Sequence, residues 1–264
     1  MTIWANCIVN NEENFVWFAI MSVVDFVDKV LVYDTGSTDK TVEIIRKIRE
    51  IKGDKVEFRQ VGKVNDLEFT KMRQKMLEQS RCDWILVLDG DEIWWEDSIK
   101  KVTDKIREDG NRIEGIVVPM VVPVGDIYHL QDEKAGQYNL LGHKGHYSLR
   151  AINRRILGLH VDLPYGTESY FDGKNVLIQE RKSQVFLDAP YLHVTHLRRS
   201  SLKRKKDKLK HELGSRVSED YKFPEVLYKD YPRIIPSPWS KISGIPLLQA
   251  KLLTPLRKIK RRFL

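Results

Sequence analysis

The nine residues Trp84-Ile85-Leu86-Val87-Leu88-Asp89-Gly90-Asp91-Glu92 constrain this chain more than any other stretch, because five consecutive large apolar residues stop at three carboxylates and a glycine. A strand with so many successive apolar side chains has to be covered on both faces, as a central parallel strand of an α/β sheet is. In such sheets function collects beyond the carboxyl ends of the strands. Gly90 lets the backbone bend, so that Asp89 and Asp91 address one point beyond the strand. Two hard oxygen donors there suit Mg2+ or Mn2+, with positions left for water and a diphosphate. Taken alone, the same stretch also describes a strand running into a solvated acidic turn.

The preceding residues make the buried strand the better reading. Ile3 to Val9 is an apolar β-run, and Asn10-Asn11-Glu12-Glu13 reads as a helix start, with Asn as cap and acids in the first turn of a helix over 12–26. Lys29 to Tyr33 predicts a second strand, which ends in the polar turn Asp34-Thr35-Gly36-Ser37-Thr38-Asp39-Lys40-Thr41 before a helix over 41–51. A third strand over 56–60 and a third helix over 66–80 lead into Trp84. This βαβαβαβ succession with short connections predicts a mostly parallel, doubly wound sheet flanked by helices. Beyond it come a charged helix over 97–109, a β-run over 113–122, an irregular segment over 123–147, strand character over 149–153 and a short β-like piece over 191–196. The remainder reads as basic helix, a Pro-interrupted linker over 231–246 and a basic apolar tail.

Charge is unevenly placed in a chain of net charge +8. Residues 198–210 hold eight Lys or Arg against one Asp, and residues 251–262 hold six with no acid, which leaves the rest net acidic. A basic C-terminal part on an acidic body suits an anionic surface better than a nucleic-acid groove across the fold, so no nucleic-acid partner is expected. Cys7 and Cys82 lie inside apolar runs, as buried free thiols do, and point to a reducing compartment. The apolar run Phe15 to Val24 is too short to cross a bilayer, and Met1 to Asn6 has no basic leader character. A cytoplasmic location is therefore expected, peripheral on the inner face of the membrane if the tail binds there.

Three motifs in order, Ile8-Val9-Asn10-Asn11-Glu12, Tyr33 to Thr41 and Leu88-Asp89-Gly90-Asp91-Glu92, make residues 3–200 resemble a family 2 glycosyltransferase of the GT-A fold. The helix opening Glu68-Phe69-Thr70-Lys71-Met72-Arg73 adds a subgroup pattern, with Glu68 where that pattern carries Asp. The resemblance implies a GT-A domain over 1–200, its nucleotide-sugar part in 1–122 and its acceptor side in 123–200, followed by a basic helical extension over 201–264. It implies a nucleotide-sugar donor, UDP-linked by preference, inversion at the anomeric carbon, and a glycan or lipid-linked glycan acceptor such as cell-envelope synthesis uses. Donor contacts then fall to Asn10, Glu12, Asp34, Glu68, Arg73, Asp89 and Arg198, and the divalent cation to Asp91, Asp89 and His196. Asp34 has the alternative of merely shaping its turn, and Arg73 that of pairing on the helix surface.

A diphosphate leaving group builds negative charge that a divalent cation stabilises, and direct displacement needs one base for the acceptor hydroxyl. Glu168, presented by the Pro164-Tyr165-Gly166 turn, and Asp162 are the two candidates, with Glu168 preferred. Trp94 and Trp95 either stack on an acceptor sugar or pack in the core. Two other readings compete. A nucleotidyltransferase would want a Gly-rich basic phosphate loop after the first strand, where Ile8-Val9-Asn10-Asn11-Glu12 stands instead. A non-catalytic nucleic-acid-binding protein would use only the basic segments. In the tail, Leu248, Leu252, Leu256, Ile259 and Phe263 recur near helical spacing among basic residues, the pattern of a helix lying on an anionic membrane, and Pro255 predicts a kink or two short helices.

Overall fold

A computed structural model of the chain describes residues 1–197 and 212–262. Its first half alternates as the sequence pattern predicts: β1 (Ile3–Val9), α1 (Val16–Val23), β2 (Lys29–Asp34), α2 (Thr41–Lys52), β3 (Val56–Gln60), α3 (Asp66–Gln79) and β4 (Trp84–Asp89). Then follow β5 (Glu92–Trp94), α4 (Glu96–Asp109), β6 (Gly115–Val121), β7 (His129–Leu130), β8 (Tyr138–Leu140), β9 (His143–Gly145) and β10 (Tyr147–Asn153). The chain continues through β11 (His160–Asp162), β12 (Ser169–Phe171), β13 (Gln184–Phe186), β14 (Tyr191–His193), β15 (Ser215–Arg216) and α5 (Gly244–Arg262).

Among the described residues nine strands form one sheet in the order β3-β2-β1-β4-β10-β6-β14-β5, with β13 also paired to β6. β3, β2, β1 and β4 run parallel, and β10 enters antiparallel between β4 and β6. Trp84 to Leu88 are all buried, as their two-sided cover requires. β4 and β5 are joined by Gly90 and Asp91 alone, yet β10, β6 and β14 lie between them in the sheet. Three Cα steps reach at most about 11 Å, whereas four strand spacings laid flat need about 19 Å. The sheet therefore has to curl until its far edge returns to the end of β4, and the acidic loop closes that curl.

Several local expectations change. α1 is shorter than predicted and neither Asn caps it; Phe15 stands at its N-cap position without a side-chain bond. Asn11 takes a left-handed backbone (φ 58°) and its side chain accepts from Thr38 N at 2.7 Å, so it ties two loops together. The segment read as irregular contains the β8–β9 hairpin. Part of the stretch read as linker belongs to the core: Ile235 is buried in the main cluster and Tyr231 packs edge-on against Phe18 at 5.1 Å, and Phe223, Val226 and Leu227 just before that stretch are buried there too. The tail forms one continuous helix with Pro255 inside it. Pro255 removes only the N–H that would bond the carbonyl of Lys251, an exposed residue whose carbonyl water can serve.

Candidate active site

A cleft of about 710 Å3 opens where β1, β4 and β6 end and β10 begins. Asn10 and Glu12 line it from the loop after β1, Thr35 from the loop after β2, and Asp89, Gly90 and Asp91 from the β4–β5 turn. Arg73 reaches it from α3, Arg150 from β10, Glu168 from the loop before β12 and His193 from the end of β14. Gly90 is required by close approach, since a Cβ there would lie 2.9 Å from Val9 Cγ1 and 3.2 Å from Glu12 Cγ. The β1 and β2 loops are sewn together beside it. Asn10 Nδ2 donates to the Thr35 carbonyl at 2.7 Å, and Asn11 N donates to Ser37 Oγ at 2.8 Å.

The acids are not equivalent. Asp89 Oδ1 lies 2.6 Å from Arg73 Nη2, and its Oδ2 lies 3.9 Å from Arg150 Nη2. Burial alone would push the Asp89 carboxyl up, but Arg73 and then Arg150 outweigh it and hold the group below the usual carboxylate range. Glu92 is fully buried, pairs with Arg150 and accepts from Asp89 N at 3.2 Å. Burial lifts its carboxyl to about 7, with Arg150 opposing. Arg150 also donates through Nε to Tyr191 Oη at 3.0 Å. Asp91, 5% exposed, faces His193, whose Nε2 lies 3.5 Å from its Oδ2. Burial would lower the His193 pKa, but Asp91 overrides it and the net shift is upward. Asp91 and His193 thus favour a positive charge between or upon them.

The structure sorts the residues named from sequence. Asn10, Glu12, Arg73, Asp89, Asp91 and Glu168 share the cleft. Asp34 lies just behind it, where its carboxylate accepts from Gly36 N and Ser37 N at 3.2 Å and shapes the turn that carries Thr35. Glu68 is exposed and caps α3, accepting from Asn65 N at 2.8 Å, rather than lining the cleft. The two base candidates separate: Glu168 lies in the cleft 3.8 Å from Arg73 Nε, whereas Asp162 is exposed outside it and accepts from Leu163 N. His196 bridges Val124 and is not among the lining residues; His193 takes the place beside Asp91. Trp94 corrects the acceptor expectation, because it is fully buried and stacked on Tyr191 at 5.1 Å. Trp95 packs against the core, donates to the Lys222 carbonyl at 3.0 Å and also stays out of the cleft. Arg198 lies outside the described residues.

Arg150 and Glu92 escaped sequence reasoning as a pair because 58 positions separate them. The available signal was an Arg inside the strand run Leu149 to Asn153, a position that needs a buried partner. Among the described residues no three His, Cys, Asp or Glu side chains converge to hold a metal ion. Asp91 and His193 supply an oxygen and a nitrogen donor on a polar cleft, which fits a divalent cation that takes its remaining ligands from water and phosphate.

The Glycosyl transferase family 2 model matches residues 8–165, a span that runs from the end of β1 past the acidic loop to the turn before Glu168. The chain belongs to glycosyl transferase family 2. Among solved structures, this family 2 chain is similar to S. aureus TarS 1-349 in complex with UDP-GlcNAc, with a TM-score of 0.52 and 16% identity over 76% of this chain and 60% of that one. It is also similar to TarS 1-349 in complex with UDP (0.51, 16% identity, 74% and 60% covered) and to TarS 1-349 alone (0.50, 15%, 74% and 61%). These likenesses establish the GT-A fold, and this chain spans about three-fifths of the TarS fragment. No curated protein matches the chain.

Proposed function

We propose that this family 2 chain transfers a sugar from a nucleotide-diphosphate donor, UDP-linked, to a hydroxyl group of a glycan or lipid-linked glycan, with inversion. The observation that carries the proposal is the β4–β5 acidic loop opening on the cleft, with Glu168 joined to it through Arg73. The UDP and UDP-GlcNAc complexes of TarS support the choice of nucleotide. Asp91 and His193 would hold Mg2+ or Mn2+, which supplies positive charge where the diphosphate leaves.

The chain's own groups account for the rest. Arg73 and Arg150 keep Asp89 ionised and oriented, so that it offers an acceptor oxygen to a donor hydroxyl without adding uncompensated charge. Thr35 and Asn10, locked by their mutual bond, form the wall on which the nucleoside lies. Glu168 takes the proton from the acceptor hydroxyl, and its bond from Gly166 N fixes the second carboxylate oxygen, leaving the first toward the cleft. The turn over 164–168 that carries this carboxylate is anchored just before its start, where Thr70 Oγ1 donates to the Leu163 carbonyl at 2.5 Å.

A thermal-shift screen tests the donor class. UDP with Mn2+ at about 100 times its dissociation constant stabilises the fold by about 2.7 kcal/mol, which raises Tm by roughly 5–10 °C. UDP or Mn2+ alone is expected to shift Tm much less, and the absence of a shift with any nucleoside diphosphate would overturn the reading. Asp91→Asn is expected to lower transfer roughly 10²-fold, the usual size of losing one preorganised charge stabiliser, and to abolish the response to added Mn2+. Steady-state rates across a Mn2+ titration check this. An unchanged Mn2+ response in that variant removes Asp91 from the cation site.

A further inference from the structure

α5 is held to the body by one face only. Ala250 is 1% exposed, Thr254 Oγ1 accepts from Leu213 N at 2.8 Å, and Arg257 lies 3.9 Å from the buried Glu212. The opposite face carries Ile245, Leu248, Leu252, Leu256 and Ile259, which are 71, 62, 74, 64 and 53% exposed. At 100° per residue these five fall within a stripe about 80° wide. A helix whose apolar stripe served its own domain would be turned the other way, with the leucines inward. Here small and polar residues make the docking contacts while the large apolar ones face out. An exposed apolar stripe of this size marks a surface that something else covers.

The charge of the helix selects the cover. Over its 19 residues α5 holds Lys251, Arg257, Lys258, Lys260, Arg261 and Arg262 and no acid. A second copy of the same helix would bring the same charge against it. No helix among the described residues is long and apolar enough to cross a membrane. A basic amphipathic helix of this kind lies in the plane of an anionic bilayer, its apolar stripe sunk to the acyl boundary and its cations among the headgroups. We infer that α5 is an interfacial anchor that seats this protein on an anionic lipid surface.

The anchor sits beside the cleft. Leu213, which is bonded to Thr254 of α5, precedes Gly214, whose N donates to the Val124 carbonyl at 3.3 Å. Val124 bridges His196, three residues beyond the cleft residue His193. Just before α5, Ile242 N donates to Asp126 Oδ2 at 3.1 Å. The helix thus rests on a segment that is bonded to the stretch leaving β6, at the end of the sheet where the cleft opens. A bilayer held there presents hydroxyl groups on lipid headgroups to the acceptor side. That last point rests on the proposed transfer reaction, whereas the anchoring does not.

Flotation of the full chain with lipid vesicles tests the anchor without reference to activity. Vesicles of phosphatidylcholine containing phosphatidylglycerol should carry the protein to the top of the gradient at low salt, and pure phosphatidylcholine vesicles should not. Lys251→Gln should weaken binding roughly fivefold, the contribution of one basic group at an acidic surface. Leu248→Ser with Leu252→Ser and Leu256→Ser should lower it on the order of a hundredfold or more, because three leucines lose their place in the acyl boundary. All four residues are exposed, so an unchanged far-ultraviolet spectrum and Tm are expected in the variants. Failure of the full chain to float on anionic vesicles at low salt overturns the inference. Equal flotation of the triple variant overturns it too, as does a dimer in solution that the triple variant abolishes. A failed donor screen alongside successful flotation would sink the transfer reading and leave the anchor standing.

Discussion

Replacing Glu168 by Gln is expected to lower turnover by about 10²–10⁴-fold, the range for loss of a positioned general base, while donor affinity stays close to that of the parent chain. The amide keeps the size of the side chain and its bond from Gly166 N, so the turn over 164–168 keeps its shape. What is lost is the ability to accept a proton from the acceptor hydroxyl. Glu168 lies 3.8 Å from Arg73, and that arginine holds Asp89 at 2.6 Å by its other end, so the variant leaves the donor side paired as before. Asp162→Asn is the internal control: exposed and outside the cleft, it should change turnover less than threefold, within what RT implies for a surface change of about half a kcal/mol. Single-turnover rates and donor binding by calorimetry separate the outcomes. A collapse of donor affinity in Glu168→Gln would make the residue a binding group, and full turnover would return the search to the rest of the cleft.

The second large effect concerns stability. Arg150→Met should destabilise the fold by about 3–5 kcal/mol, because it strands a buried carboxylate. Glu92 is fully buried, and Arg150 is its charged partner; the same arginine bonds Tyr191 and approaches Asp89. Methionine fills most of the volume and supplies none of the donors. The companion change Glu92→Gln removes the stranded charge, so the double variant should be more stable than Arg150→Met alone, which is the signature of coupled sites. Urea unfolding of the four proteins gives the cycle directly. A loss below about 1 kcal/mol in Arg150→Met would mean that water reaches Glu92 and that the pair is an ordinary surface contact.

How far the sequence disclosed this arrangement depends on how local each signal was. The strand over 84–89 was legible because burial on both faces demands an unbroken apolar run, and the following helices and strands were legible because their periodicity is local. β5 was not legible. Three residues beginning with a glutamate look like a turn, and only pairing with β14, a hundred residues later, makes them a strand and puts Trp94 in the core. The same long-range closure decided between the histidines: His193 and His196 are near-equivalent on paper, and the end of β14 sets His193 beside Asp91. Glu168 and Asp162 likewise differ in sequence only by a turn; β11 pairs with β12, and that hairpin directs one acid inward and leaves the other outside. Residues 231–246 looked like a linker because their aromatic anchors have no regular spacing, although Trp239 packs on both Phe223 and Tyr228.

The direct splice of β4 to β5 divides the cleft into a fixed jaw and an exchangeable one. The two residues that carry the acidic loop are clamped at both ends by strands of one sheet, so the loop cannot lengthen or tilt without unpairing β14 from β5. Tyr138 and Leu140 of β8 and the turn over 164–168 also line the cleft, from pieces that contribute no strand to that sheet. Apart from Glu168 and Gly166, length and composition can change there without unpairing any strand of that sheet. Under the proposed reaction, a lineage built on this frame can take up a new acceptor by rewriting the β8–β9 hairpin while the acidic loop and Glu168 stay as they are.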